Sequence, residues 1–274
     1  MVLATALALS SAVLHAGWNL FAKRSSDPFL ALWSQFLIAG VIGVVVLLVG
    51  GGVPTGVWVW AAISATAHIP YVVALGWAYH HGDFSLAYPI ARGGGALFAA
   101  IGGIAILGDD LRAMSLVAIG VVAFGMWMLA WGAAPGHVLA ALTVAVSIGV
   151  YTVSDSHAVR EHDAPLYVFA GIAAVGVAAS VTALAMGRGR DLIAMARPQW
   201  GRASLAAVMT ISAYGLVLVA VRHAPVGYVA ALRESSVLIA VFVGHRLLRE
   251  SSGHRRLAAA ALILAGLVLL VATR

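Results

Sequence analysis

Apolar runs of about 20 residues follow one another along the whole chain, separated by short segments that hold most of the charges. An α-helix of this length crosses roughly 30 Å of hydrocarbon at about 1.5 Å per residue. The runs are continuous and rich in Ala, Leu and Gly, whereas the strands of a membrane barrel alternate in polarity. The pattern therefore predicts an all-α polytopic membrane protein.

Charged residues, prolines and glycines mark the ends of the spans. We predict ten spans, at residues 2–22, 28–49, 56–79, 85–107, 113–131, 137–156, 165–186, 202–222, 226–248 and 255–273. The first is interpreted as a retained span rather than a signal peptide, because its first positive charge is Lys23, after the apolar stretch. The longest predicted connection runs from Gly187 to Gly201. We expect no separate soluble domain, so function must take place inside or across the bilayer.

Composition supports this class and excludes others. The chain has 274 residues, of which 62% are hydrophobic and 9% charged, with a mean hydropathy of +1.01. A soluble domain carries about 25% charged residues, so a soluble enzyme is excluded. The net charge of +6 comes from Lys and Arg residues near span ends, which indicates membrane topology rather than a nucleic-acid partner. Without cysteine, no thiolate metal site or disulfide can form.

The chain also contains an internal repeat. One constant shift in numbering, which carries Arg92 onto Arg233, superposes the fourth and fifth spans on the ninth and tenth. A second shift, which carries His15 onto Tyr151, superposes the first span on the sixth. Further pairs matched by these two shifts are Asp109 with Glu250, Gly125 with Gly266, and Asn19 with Asp155. Five spans per half is an odd number, so the second half enters the membrane from the opposite side. This predicts two inverted-topology five-helix repeats, residues 1–134 and 135–274, an arrangement typical of secondary transporters.

Polar side chains within the spans are candidates for function, because their burial in a bilayer is costly. One polar stripe on the first span and a second on the sixth consist of Ser11, His15, Asn19 and Lys23, and of Ser147, Tyr151 and Asp155. Such stripes either line a central cavity or join neighbouring helices by hydrogen bonds.

Arg92 and Arg233 lie roughly 6 Å from the middle of their spans. Each offers a planar donor fork for a carboxylate or phosphate, or else balances a buried acid such as Asp155 or Glu234. His68, in the middle of the third span, is either a structural hydrogen-bond partner or a proton carrier together with His15, Asp155 and Glu234. The candidate substrate-binding residues are His15, Trp18, Asn19, His68, Tyr71, Tyr88, Arg92, Tyr151, Asp155, Arg233 and Glu234.

Motifs of catalysis and of nucleotide binding are absent from the sequence. It contains no HExxH, no GxSxG and no GxxxxGK[ST]. We therefore predict that the protein is not an enzyme or an ATP-driven pump, and that it has no cofactor and no metal site.

Three segments resemble a known family. They are H15-A-G-W-N19 followed by K23-R24-S-S-D27-P28, then S85-L-A-Y-P-I-A-R92 through L107-G108-D109, and V226-G-Y-V-A-A-L-R233 through R249-E250. They are similar to EamA-type members of the drug/metabolite transporter (DMT) superfamily, and the similarity extends over essentially the whole chain.

This resemblance implies ten helices in two inverted repeats and alternating access through a cavity lined by the first, third, fourth, sixth, eighth and ninth helices. Members move amino acids, other metabolites or drugs, often outward. The small multidrug relatives exchange protons for cations through a glutamate in their first helix, where this chain offers His15 and Asn19. The positive-inside rule places both termini outside the cytoplasm, whereas the resemblance places them inside, so orientation stays open.

The leading functional prediction is a secondary transporter, of exporter type, for an amino acid or another amphoteric or organic anion, with proton coupling left open. We expect a multi-pass protein of the inner (cytoplasmic) cell membrane, monomeric or homodimeric, whose partners are the lipid bilayer and a small solute. Three alternatives remain: a membrane-embedded enzyme acting on a lipid-linked substrate through His15, His68 and Asp155, a cation or drug exporter, and a scaffold.

Overall fold

The computed structural model describes residues 2–108, 113–162, 164, 166–237, 239 and 254–272, and these residues are almost entirely helical, without a strand. The helices are α1 (Val2–Lys23), α2 (Pro28–Gly50), α3 (Trp58–His81), α4 (Phe84–Leu107), α5 (Ala113–Ala130), α6 (Pro135–Glu161), α7 (Tyr167–Ala185), α8 (Gly189–His223), α9 (Val226–Arg233) and α10 (His254–Ala272). A short 3-10 turn, Thr55–Val57, precedes α3.

Seven helices in the described part of the chain are long and apolar enough to cross a membrane. They are α1, α2, α3 with its 3-10 turn, α4, α6, α7, and α8 from Gln199 onward. This confirms the prediction of a polytopic all-α membrane protein. The predicted ninth span beyond residue 239, together with Asp109 and Glu250, lies outside the described residues.

Most helix ends lie close to the predicted span ends, but the connection predicted between Gly187 and Gly201 is wrong. Helix α8 begins at Gly189 and continues through this segment into the membrane span. Charged residues mark the edge of the hydrocarbon, whereas a helix ends only where its backbone hydrogen bonds end. Asp191 lies in the first turn of α8, where the helix dipole favours a negative charge.

The corner between α1 and α2 shows how local sequence sets a helix start. Asp27 accepts a hydrogen bond from the backbone N–H of Leu30 at 3.0 Å, and Pro28 occupies the first turn of α2. The other carboxylate oxygen of Asp27 accepts from Arg188, 2.5 Å away, just before α8. Hydrogen bonds to Asp27 and Asp191 raise the pKa of the Arg188 guanidinium. The corner is thereby joined to the start of α8.

Glycines allow α2 and α7 to approach closely. A Cβ atom on Gly40 would lie 3.0 Å from the Cα of Gly176, and one on Gly176 would lie 2.9 Å from the Cα of Gly40. Small residues at such crossings let helix backbones touch within a membrane. The shift in numbering that carries His15 onto Tyr151 also carries Gly40 onto Gly176, so the contact joins positions that the predicted repeat makes equivalent.

Helices α5 and α10 pack in the same reciprocal manner. A Cβ on Gly125 would lie 2.8 Å from the side chain of Ile263, and one on Gly266 would lie 2.8 Å from that of Val122. The shift that carries Arg92 onto Arg233 also carries Gly125 onto Gly266 and Val122 onto Ile263. The glycine of each helix therefore packs against the branched side chain of the other, at positions that the numbering shift relates.

Candidate functional site

A cavity with about 500 Å³ of empty space, part of it open to the outside, lies among α1, α2, α3, α6, α7, α8 and the end of α9. Its wall consists of His15, Trp18, Phe36, Ser64, His68, Tyr71, Tyr151, Gly171, Ile172, Val175, Thr210, Ala213, Tyr214 and Arg233. Residues of α2 and α7 contribute to this wall, and residues of α4 do not, in contrast to the lining that the family resemblance implies. The first and sixth helices contribute as expected.

The sequence-predicted site residues divide into two groups. Those on the cavity wall are His15, Trp18, His68, Tyr71, Tyr151 and Arg233. The others, which are buried but do not line the cavity, are Asn19, Tyr88, Arg92, Asp155 and Glu234.

One side of the cavity is a wall of aromatic rings. His68 stacks on Tyr151 with ring centroids 4.3 Å apart, and Tyr71 lies 5.4 Å from His68. The Tyr214 ring is 6.0 Å from that of Tyr151. The Nδ1 atom of His68 lies 2.7 Å from the carbonyl oxygen of Ser64, to which it must donate, since a carbonyl only accepts. This wall offers tyrosine hydroxyls and an imidazole nitrogen to a bound solute.

The polar stripe of α1 serves mainly to join helices. Ser11 donates to the carbonyl of Ala213 at 2.7 Å, and Asn19 accepts from the Tyr79 hydroxyl at 2.6 Å. Lys23 donates to two carbonyls at the end of α3. Of the stripe, only His15 reaches the cavity wall. In the sixth helix, Tyr151 is on the wall and Asp155 is behind it.

Arg92 forms a buried ion pair. Its Nη2 donates to Oε1 of Glu234 at 2.6 Å, and the two side chains are 5% and 2% exposed. Of the two acids that the sequence offered as counter-charges, the structure therefore pairs Glu234 with Arg92. Their direct contact recovers part of the cost of burying both charges.

Arg233 has no such partner among the described residues. It is 3% exposed and lines the cavity, and its Nε atom makes no hydrogen bond to any described residue. Within the described chain, Glu234 is the neighbouring acid, and its paired oxygen is bound by Arg92 instead. Arg233 therefore brings to the cavity wall a positive charge that the described chain does not neutralise.

The regular helix is interrupted at this point. Helix α9 ends at Arg233, Glu234 is in a turn, and the N–H of Val237 bonds the carbonyl of Glu234 at 2.9 Å. Irregular backbone at membrane depth is tolerated where it is enclosed by protein or lines a cavity. Adjacent residues of a helix also point about 100° apart, so Arg233 and Glu234 reach different surroundings.

Unsatisfied polar atoms concentrate around this turn. Among the described residues, five of the seven buried side-chain atoms without a hydrogen-bond partner lie on α4 or beside the turn. They belong to Tyr88, Arg92, Arg233, Glu234 and Ser236. Each such atom costs about 1–3 kcal/mol unless a partner reaches it.

Asp155 is a fully buried acid held by hydroxyl groups. Its Oδ1 accepts from Tyr167 at 2.5 Å, and its Oδ2 accepts from Ser64 at 3.0 Å and from Tyr214. No cation pairs with Asp155 among the described residues. Ser64 and Tyr214 separate it from the cavity that they line. Three hydroxyl donors take the place of a counter-ion.

Sequence reasoning missed several wall residues, notably Phe36, Ser64, Thr210 and Tyr214. Tyr214 offered a signal, because it lies in the middle of an apolar span, away from the ends where tyrosine anchors to the interface. Ser64 and Thr210 resemble the many serines and threonines that bond only within their own helix. Phe36 has no distinguishing feature in an apolar span.

Two observations on the described part of the chain concern a metal site and the enzyme alternative. Groups of three or more His, Asp or Glu that could hold a metal ion are absent there. His68 bonds the carbonyl of Ser64, and Asp155 accepts from Tyr167 and Ser64; hydrogen bonds among His15, His68 and Asp155 are absent from the described part of the chain.

These features define an all-α multi-pass membrane protein with a cavity between its helices that brings an arginine, histidines and tyrosines together on a largely apolar wall. The sequence profile of the EamA-like transporter family matches residues 136–272. The chain belongs to that family, and it is a transporter of the drug/metabolite type.

Two further comparisons complete this picture. A solved structure described only as "Crystal structure of protein" has a TM-score of 0.64, is 19% identical, and aligns over 98% of this chain and 98% of its own, which shows a shared fold. None of the curated proteins matches the chain significantly.

Proposed function

We propose that the protein is a secondary active transporter that exports a small carboxylate-bearing metabolite, an amino acid or another amphoteric or organic anion. The observation that carries this proposal is Arg233, a buried guanidinium that lines the cavity and has no partner among the described residues. A carboxylate is the group that best matches its planar donor fork.

The charge at the site supports an anionic group. The shift in numbering that relates Arg92 to Arg233 places Glu234 opposite Gly93. One arginine of the repeat-related pair thus has a carboxylate from the chain, and the other has a glycine in the equivalent place. The carboxylate of a solute would supply the missing partner.

The rest of the cavity suits a small polar solute. His68, Tyr71, Tyr151 and Tyr214 offer hydrogen bonds and ring faces, and ring faces also attract an ammonium group. An amino acid would use Arg233 for one end and the aromatic wall for the other.

Alternating access would follow from two inverted five-helix repeats with ten spans, residues 1–134 and 135–274. Reciprocal packing supports this layout, because Gly40 meets Gly176 and the α5–α10 contacts exchange under the repeat shift. Asn19 and Asp155, which the repeat also relates, each accept from a tyrosine, Tyr79 and Tyr214 respectively. Rocking one half against the other would expose the cavity to each side in turn.

Uphill export would require a coupled solute or ion, since the sequence has no nucleotide-binding motif. We include proton coupling in the proposal, with Asp155, His15 and His68 as the candidate carriers. Asp155 is favoured by its position, because it contacts the cavity through Tyr214 and Ser64 and has no resident cation in the described chain.

The test is thermal unfolding of the detergent-purified protein with amino acids, dicarboxylates, phosphonates and organic cations, because a ligand that binds the folded state raises Tm. We expect a zwitterion or carboxylate to raise Tm of the wild type and of the control Arg190→Gln, an exposed arginine outside the cavity. The same compound should leave Tm of Arg233→Gln unchanged.

Two results would overturn the proposal. One is selective stabilisation by organic cations, and the other is an undiminished carboxylate effect in Arg233→Gln. Transport of the identified compound into proteoliposomes, measured with and without a pH gradient, then tests the coupling.

A further inference from the structure

A second cavity, which we call the vestibule, lies among the end of α1, the start of α2 and the start of the α8 span. It contains about 370 Å³ of empty space, part of it open to the outside. Its lining residues are Phe21, Ala22, Arg24, Ser25, Ala31, Ser34, Gln35, Gln199, Arg202, Ala203 and Ala206.

Two exposed arginines, Arg24 and Arg202, give the vestibule its charge. None of the described residues that line it is acidic. The acids of the same corner, Asp27 and Asp191, share one cation, Arg188, so these three groups carry a net charge of −1 and the two vestibule arginines remain in excess. The vestibule is therefore positive.

The vestibule continues the central cavity along three helices. On α1 the lining passes from Trp18 in the cavity to Phe21 in the vestibule. On α8 it passes from Thr210 to Ala206, and on α2 the adjacent residues Phe36 and Gln35 face one cavity each. The two spaces thus lie end to end.

One hydrogen bond links the lining of the vestibule to that of the central cavity. The side-chain amide of Gln35, which lines the vestibule, donates to the hydroxyl of Thr210, which lines the cavity, at 3.2 Å. Both side chains are buried, and both are uncharged. A contact between neutral groups separates more easily than an ion pair.

We propose that the vestibule is a second binding site for the transported anion, where Arg24 and Arg202 collect the solute, and that the Gln35–Thr210 hydrogen bond is the gate to the central cavity. This inference rests on the proposed function, because it takes the carboxylate that Arg233 binds as the solute. A lipid headgroup carries similar charge, but the vestibule leads inward to a polar cavity, which favours a free solute.

The absence of cysteine from the sequence makes a direct test available. Ala203→Cys places one thiol in the vestibule, and Val175→Cys places one in the central cavity. The probes are two methanethiosulfonates, anionic sulfonatoethyl and cationic trimethylammonioethyl, applied to the full-length protein in neutral phosphatidylcholine vesicles.

For Ala203→Cys, we expect the ratio of anionic to cationic labelling rates to fall roughly tenfold when Arg24→Gln and Arg202→Gln are added, since a charged cleft concentrates counter-ions by at least that factor. Arg190→Gln, which removes an exposed charge near the start of α8 but outside the vestibule, should leave the ratio unchanged. An unchanged ratio in the double arginine variant would overturn the anion site.

For Val175→Cys, we expect Thr210→Val to raise the rate of anionic labelling about fivefold, the factor that one neutral hydrogen bond contributes to an equilibrium. Thr182→Val is the matched control, because that hydroxyl bonds only the carbonyl of Ala178 in its own helix. Equal rates in the two variants would overturn the gate.

Phosphatidylglycerol vesicles distinguish the two anion sources. If addition of this lipid slows anionic labelling of Ala203→Cys, but not when both arginines are replaced, the vestibule binds headgroups and the solute site is overturned. These outcomes are independent of the ligand-induced Tm shift at Arg233, which can persist when the vestibule fails its test.

Discussion

Arg92 donates a hydrogen bond to Glu234 across 2.6 Å, although 142 residues separate them in the chain. The bond joins α4 to the turn that follows α9, so it connects the two predicted halves. It also distinguishes the two buried arginines. Arg92 is neutralised by an acid of the chain, whereas Arg233 faces the cavity.

We expect Arg92→Gln and Glu234→Gln each to lower the free energy of unfolding by about 3 kcal/mol, because each leaves the opposite charge buried and unpaired. The double variant should recover much of this loss, since it leaves no unpaired charge. Chemical unfolding in detergent followed by tryptophan fluorescence measures all three. Strictly additive losses would contradict the pairing.

Replacement of Arg233 should have the opposite effect on stability. A buried guanidinium without a partner is unfavourable, so we expect Arg233→Met to raise Tm of the ligand-free protein while it abolishes ligand binding. Differential scanning fluorimetry checks this. A fall in Tm comparable with that of Arg92→Gln would show that Arg233 also has a structural partner.

The hydroxyl groups around Asp155 give a third prediction. Tyr167→Phe should cost about 2 kcal/mol, because it removes a hydrogen bond to a buried acid. Tyr151→Phe is the control, since its ring lines the cavity and its hydroxyl makes no hydrogen bond to the described residues. In an Asp155→Asn background the cost of Tyr167→Phe should fall by about half, because the acceptor is neutral. If Tyr167→Phe costs the same in both backgrounds, the Tyr167 hydroxyl does not act through Asp155.

The contact between α2 and α7 predicts a packing effect. Gly40→Ala would place a methyl group 3.0 Å from the Cα of Gly176, so the helices must separate, at a cost of about 2 kcal/mol. Gly120→Ala, where nothing lies within 4 Å of the added atom, should cause no loss. The measurement compares the thermal unfolding temperatures of Gly40→Ala and Gly120→Ala. Equal unfolding temperatures would contradict a close backbone contact between α2 and α7.

Sequence and structure agree most closely on features that depend on neighbouring residues alone. Asp27 and Pro28 mark the start of α2, and the apolar runs mark the helices that can cross the membrane. The sequence also singled out His15, His68 and Arg233, which the structure places on one cavity wall. Ionisable groups within apolar runs are rare, and this rarity makes them easy to find.

The partners of those groups were not accessible from the sequence. Asn19 and Asp155 belong to matching stripes, yet Asn19 bonds Tyr79 and Asp155 bonds Tyr167, Tyr214 and Ser64. Gln35 and Thr210, whose hydrogen bond links the linings of the two cavities, looked like ordinary polar residues in apolar spans.

The sequence by itself determined that the chain is a multi-pass helical membrane protein with buried arginines and acids, because hydrophobic length and composition are properties of each segment alone. The tertiary structure decided which arginine is neutralised and which faces the cavity. That outcome depends on how the end of α9 packs, because α4 lies where Glu234 meets Arg92 while Arg233 lines the cavity. Such pairings are set by helices far apart in the chain, and spacing within a single span does not encode them.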